Sequence, residues 1–124
     1  MIVYCAKDLM FETRIRATAE ALGVPTRGVA HAAALQRRLD GVADGKLNEP
    51  VQAVFIDLDL GDAAAAMIRQ VKGSNAAIPV IAFGSHVATD VLQAARDAGA
   101  DAVMARGQFV VELPGLLQKH GSVI

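Results

Sequence analysis

Ala53-Val54-Phe55-Ile56-Asp57 is the stretch on which the reading of this chain turns. Four apolar residues run straight into a carboxylate, and Leu58-Asp59-Leu60-Gly61-Asp62 follows. A short apolar run bounded by turn residues reads as a strand buried on both faces of a sheet. A carboxylate at its C-terminal tip stands where open α/β sheets bind their ligands, in the crevice outside the strand ends. What Asp57 does there depends on neighbours supplied by other strands.

Working outward, strand-like and helix-like segments alternate. Ile2–Ala6 reads as a first strand, and Asp8–Leu22 as a helix with Asp8 as N-cap and Gly23 as stop signal. Phe11, Ile15, Ala19 and Leu22 recur at helical spacing and give that helix one buried face. Pro25–Ala30 is a second strand whose proline suits a sheet edge. His31–Leu39 is a helix with Ala34 and Leu35 turned inward, and Asp40–Pro50 reads as a loop. Gln52–Asp57 is the third strand and Ala63–Val71 the third helix, apolar at Met67, Ile68 and Val71. Ile78–Phe83, Ala88–Ala98 and Asp101–Ala105 continue the alternation as strand, helix and strand. A last helix reaches about Lys119; Pro114 is best tolerated in a first turn, so that helix is expected to begin near Glu112. Five strands alternating with five helices predict an α/β fold, a three-layer α-β-α sandwich around a parallel sheet.

Composition narrows the function. The 124 residues fit a single domain spanning 1–124, and 53% hydrophobic against 20% charged residues argues against disorder. Aromatics make up 4%, which suits close helix-on-sheet packing better than base stacking. A net charge of -1 leaves no electrostatic footprint for nucleic acid, and Arg37-Arg38 is too small to be a basic patch. Cys5 is the only cysteine, excluding an internal disulfide and a thiolate zinc cluster; it reads as a buried, inert thiol. The N-terminus enters its first apolar run without a basic prelude, and no stretch approaches the roughly 20 apolar residues of a membrane span. The expectation is a cytoplasmic protein without membrane or nucleic-acid partners.

With these elements laid out, the chain resembles a receiver domain, the phospho-accepting module of bacterial response regulators, over essentially its whole length. Val54-Phe55-Ile56-Asp57 resembles the strand ending on the phospho-acceptor, and Ile78-Pro79-Val80-Ile81-Ala82-Phe83 resembles the fourth strand. Ala94-Ala95-Arg96-Asp97-Ala98-Gly99-Ala100-Asp101 resembles the Ala-x-x-x-Gly-Ala-Asp approach to the fifth. The resemblance implies the flavodoxin-like strand order 2-1-3-4-5, with its switch point between strands one and three. It also implies a chemistry. Two acids after the first strand hold magnesium with the acceptor carboxylate, a lysine after the fifth strand neutralises the phosphoryl group, a Thr or Ser after the fourth binds it, and an aromatic on the fifth moves with it.

Carried over position by position, Asp57 matches the acceptor, but the acidic pair falls on Ala6 and Lys7, with Asp8 just beyond. Gly61 stands at a usual proline, Gly84 at the Thr/Ser position beside Ser85, and Val103 at the switch aromatic. Arg106 replaces the lysine and Gly107 the proline after it. Hard divalent cations require oxygen ligands, whereas a lysine supplies only donors. The expected site is therefore a standing charge cluster of Lys7, Asp8, Asp57 and Arg106 with no metal and no other cofactor, in which Lys7 and Arg106 hold Asp57. Asp59 and Asp62 read as solvated loop acids, one of them capping the third helix.

The function expected is a non-enzymatic, stand-alone pseudo-receiver that signals through a protein partner or a homodimer without phosphorylation. In the family the face of the fourth helix, fifth strand and fifth helix makes such contacts; here it would carry Val87, Val91, Gln108 and Phe109. One alternative is a single-domain response regulator phosphorylated on Asp57 with magnesium. The other is a small flavodoxin-like enzyme or ligand binder using Ser85, His86 and Arg106 at the strand ends. His31 and His120 belong to no constellation, and glycine-rich nucleotide loops are absent.

Overall fold

The computed structural model describes residues 1–43, 46–47 and 49–121. Five strands form one sheet: β1 (Ile2–Cys5), β2 (Thr26–Gly28), β3 (Ala53–Asp57), β4 (Val80–Gly84) and β5 (Ala102–Ala105). All neighbouring pairs are parallel and the order is β2-β1-β3-β4-β5, as the sequence led us to expect. Five helices connect and cover it: α1 (Leu9–Leu22), α2 (Ala32–Leu39), α3 (Asp62–Ser74), α4 (Thr89–Asp97) and α5 (Arg106–His120).

The strands are apolar throughout because both faces of the sheet are covered. Val3, Cys5, Val54, Ile56, Val80 and Ala82 pack against Leu35 of α2, Met67, Ile68 and Val71 of α3, and Ala95 of α4. Alternate residues Ile2, Tyr4, Phe55, Ile81, Phe83 and Met104 meet Ile15 and Ala19 of α1 and Phe109, Leu113 and Leu117 of α5. All four phenylalanines of the chain gather on this second face. The Phe83 and Phe109 rings stack at 4.1 Å, Phe11 stacks on Phe83 at 5.2 Å, and Phe55 meets Phe109 edge-on at 5.5 Å.

Two local expectations need correction. The last helix begins at Arg106, not near Glu112, so exposed Pro114 lies inside it. Burial of Phe109, Leu113 and Leu117 at i, i+4 and i+8 outweighs the one backbone hydrogen bond that proline cannot donate. The segment Asp40–Pro50 is also not all loop: Val42–Ala43 pairs antiparallel with Lys46–Leu47 in a small ribbon. The sequence signal was Asp44-Gly45, a dipeptide that favours two-residue hairpins; residues 44, 45 and 48 lie outside the described residues.

The Ala-x-x-x-Gly-Ala-Asp stretch behaves as its residues dictate. Gly99 takes φ +109°, a left-handed conformation that closes α4, and Asp101 then receives the Val80 N–H at 2.8 Å and pairs with Lys72. Lys72 also donates to the Ile78 carbonyl at 2.7 Å, so one ammonium ties α3 to the approaches of β4 and β5.

Candidate functional site

The strand register brings the C-terminal ends of β1, β3, β4 and β5 to one edge. Cys5 pairs with Ile56, Asp57 with Phe83, and Gly84 with Ala105. Around Asp57 therefore stand the loop after β1 (Ala6, Lys7), the end of β4 (Gly84, Ser85) and the start of α5 (Arg106).

Asp57 is the one buried charged residue among the described residues, with a relative exposure of 0%. A carboxylate is tolerated there only with partners that replace water. It has three. The Lys7 backbone N–H donates to Oδ2 at 3.1 Å, the Asp59 N–H donates to Oδ1 at 2.9 Å, and Arg106 Nη2 donates to Oδ1 at 3.2 Å. The Asp59 bond arises because Asp57 caps a single 3-10 turn, Leu58–Leu60, that continues directly from the strand.

Arg106 also forms an ion pair with Asp59, and its guanidinium carbon stands 5.7 Å from the centre of the Phe11 ring. Its pKa is raised further above the usual range, first by the hydrogen bond to Asp59, against the effect of burial, and then by Asp57. One cation is thus shared between two carboxylates and rests on the aromatic face of α1. Beneath them, burial and then the Asp57 charge push the Cys5 thiol up to about 11. Cys5 is 2% exposed, in keeping with an inert thiol.

The expected cluster members are placed unequally. Arg106 and Asp57 meet by their side chains. Lys7 reaches Asp57 through its main chain, while its ammonium is exposed and makes no ion pair among the described residues. Asp8 is exposed and caps α1, accepting the Met10 N–H at 2.8 Å, which is the N-cap role read from the sequence. The carboxylate completing the cluster is Asp59, read as a solvated loop acid; its side chain is 50% exposed but bound to Arg106. Asp62 lies in the first turn of α3, whose N-cap is Gly61 without a side-chain hydrogen bond.

At the switch positions Gly84 is fully covered. A Cβ there would lie 3.1 Å from the Cβ of Leu58 and 3.3 Å from its Cδ1, so Leu58 fills the space of a Thr or Ser side chain. The Ser85 hydroxyl accepts the Val87 N–H at 3.4 Å and makes no hydrogen bond to His86 or Arg106 among the described residues. His86 is exposed. Val103 is half-buried and packs against the core on the face of the sheet covered by α2, α3 and α4. His31 caps α2, its Nδ1 accepting the Ala34 N–H at 3.1 Å.

Of the four expected interface residues, Val87 is 74% and Val91 42% exposed, and Gln108 is exposed. Phe109 is not available to a partner. It is 0% exposed at the centre of the phenylalanine stack, because α5 starts early enough to turn it inward. Val111, 79% exposed, is the apolar residue that α5 presents to solvent.

The donor set does not match magnesium. Ala6 and Lys7 bring no carboxylate, Asp8 is engaged at the helix cap, and both Asp57 oxygens accept N–H donors. Among the described residues no three His, Cys, Asp or Glu side chains converge as a metal site. No helix among them is long and apolar enough to cross a membrane.

No protein-family model matches this chain, and no curated protein does. Solved structures do. A response regulator from Thermotoga maritima superposes with a TM-score of 0.75 at 16% identity, covering 98% of this chain and 97% of that one. The receiver domain of NtrX from Brucella abortus gives 0.76 at 14% identity with 100% of both chains covered. A response regulator protein from Burkholderia pseudomallei, solved with a phosphorylated aspartic acid, calcium ion and citrate, gives 0.72 at 18% identity over 98% of this chain and 68% of that one. At such identities the likeness is one of fold: the chain has the receiver-domain fold.

Proposed function

We propose that this receiver-fold chain is a pseudo-receiver, a non-enzymatic cytoplasmic module that signals by binding a protein partner without phosphorylation of Asp57 and without a metal. The observation that carries the reading is the Arg106–Asp57 pair. The acceptor-position carboxylate is fully buried, and each of its oxygens already holds at least one N–H donor. Phosphoryl transfer needs one carboxylate oxygen free to attack, a metal to neutralise the group in flight, and a donor to receive it. Here Arg106 is paired directly with the acceptor-position carboxylate, Lys7 stands at a metal-ligand position, and Gly84 offers no hydroxyl.

Partner binding is assigned to the face of α4, β5 and α5, where Val87, Val91, Gln108 and Val111 are exposed. The partner proposed for it is a second copy related by a two-fold axis or another protein. The test is intact-protein mass after incubation with acetyl phosphate and magnesium. No mass increase is expected. A phosphoryl adduct that disappears in Asp57→Asn overturns the proposal in favour of a single-domain response regulator phosphorylated at Asp57.

A further inference from the structure

A second feature lies on the β2 side of β1. A cleft of about 130 Å³ opens between the ends of β1 and β2 and the first turns of α1, lined by Tyr4, Ala6, Glu12, Gly28, Val29 and Ala30. One ordered water requires only about a tenth of that volume, so the cleft has room for a small organic molecule.

Two polar side chains of the cleft lack partners among the described residues. Tyr4 is 4% exposed, yet its hydroxyl makes no hydrogen bond among the described residues. Buried tyrosine hydroxyls ordinarily find a partner, and leaving one without is costly. Burial raises the Tyr4 pKa, followed in effect by Glu12, so the phenol stays a neutral donor and acceptor. Glu12 is half-buried, and its carboxylate likewise has no hydrogen bond or ion pair among the described residues.

The cleft persists because its walls are small. Tyr4 pairs with Gly28 in the sheet register, and a Cβ on Gly28 would meet the Tyr4 ring and hydroxyl at 3.0 to 3.2 Å. Ala6, Ala30 and Val29 supply short apolar surfaces. Glu12 is the one charged residue in the lining. Two arginines lie near enough to affect Tyr4, but neither lines the cleft. Arg27 pairs with Val3 and so belongs to the opposite face of the sheet, and Arg16 sits one turn beyond Glu12 on α1.

We infer that this cleft binds a small alkylammonium or alkylguanidinium compound, whose N–H groups donate to the Glu12 carboxylate and the Tyr4 hydroxyl while its alkyl part rests on Ala6, Val29 and Ala30. The site borders the Asp57 region at Ala6, and the inference does not rest on the function proposed above.

Methylguanidinium chloride and ethylammonium chloride are the probes, titrated into the ¹⁵N-labelled protein while backbone amide shifts are followed. So few heavy atoms limit the affinity to the millimolar range. We expect saturable shifts at Gly28, Val29 and Ala30 with at least one probe, absent with sodium chloride at equal ionic strength, and binding at least threefold weaker in both Glu12→Gln and Tyr4→Phe. Using two variants guards against one of them failing to fold. Three results overturn the inference: no saturable shift with either probe (a cleft that holds water only), equal shifts with sodium chloride, or less than a threefold loss in a folded variant.

Discussion

Arg106 Nη2 lies 3.2 Å from Asp57 Oδ1 and also pairs with Asp59, so a single cation on α5 joins a fully buried carboxylate to a half-exposed one. The strand tip keeps its acid, and a guanidinium and two backbone N–H groups face it.

The first prediction is energetic. Removing one partner of a fully buried ion pair costs roughly 3–5 kcal/mol. Arg106→Met should cost less, about 2 kcal/mol, because Asp57 keeps two backbone N–H donors while losing its only side-chain cation. Asp57→Asn should also destabilise, since an amide has one acceptor oxygen for the two N–H groups. The double variant should be more stable than the sum of the two losses implies, because no uncompensated charge then remains. Urea unfolding of the four proteins measures this; strict additivity contradicts the direct pair.

Gly84 makes a steric prediction. Gly84→Ser restores a hydroxyl at the position where receiver domains carry one, but its Cβ arrives 3.1 Å from that of Leu58. Overpacking of this kind costs typically 1–3 kcal/mol. Adding Leu58→Ala to Gly84→Ser should therefore be less destabilising than Leu58→Ala in the wild-type background. A thermal melt of the set checks the sign of that coupling.

Acid stability should depend partly on the Lys72–Asp101 pair. Burial works to raise the Asp101 pKa but is outweighed by the hydrogen bonds from Lys72 and Val80, so it falls below its ordinary 3.8. A depressed carboxylate pKa contributes stability that is fully present above the unfolded-state value of about 3.9 and is lost as pH falls through the folded value. The Asp101 side chain is 49% exposed, so solvent screening keeps the contribution below about 1 kcal/mol. Unfolding free energy measured downward from pH 5 should fall less steeply in Lys72→Met than in wild type.

Cys5 should be silent. With its thiol pKa pushed up to about 11, roughly one molecule in a thousand carries a thiolate at pH 8. Ellman's reagent should label the native protein only as fast as it opens, and label it at once in denaturant. Rapid stoichiometric labelling under native conditions contradicts the burial assigned to Cys5.

The parallel α/β class was legible because apolar runs alternate with helix-period segments, whereas the strand order came from the resemblance to receiver domains carried by the strands ending at Asp57 and Phe83 and by the Gly99 stretch. The pairing of Arg106 with Asp57 followed from carrying both over to receiver-domain positions, two strand ends separated by that of β4. Asp59 was missed because its role comes from a three-residue turn capped by Asp57 itself; an Asp-x-Asp pattern after a buried strand, facing a cation at another strand end, was the available signal. Lys7 was assigned through its charge, yet its backbone makes the contact, a distinction that composition does not carry. Phe109 was placed on the surface by carrying over the family's contact face, whereas α5 begins at Arg106 and turns Phe109 inward with Leu113 and Leu117. The Tyr4 cleft had no sequence signature, since it depends on Gly28 falling opposite Tyr4 in the register.

The most direct test of the central claim is a backbone amide titration with beryllofluoride and magnesium, read at Lys7, Asp59, Gly84 and Arg106. No saturable shift is expected at these positions, because Asp57 is buried and already engaged by Arg106 and two backbone N–H groups. Saturable shifts at the four amides, abolished by Asp57→Asn, would contradict it and return Asp57 to the role of a working phospho-acceptor.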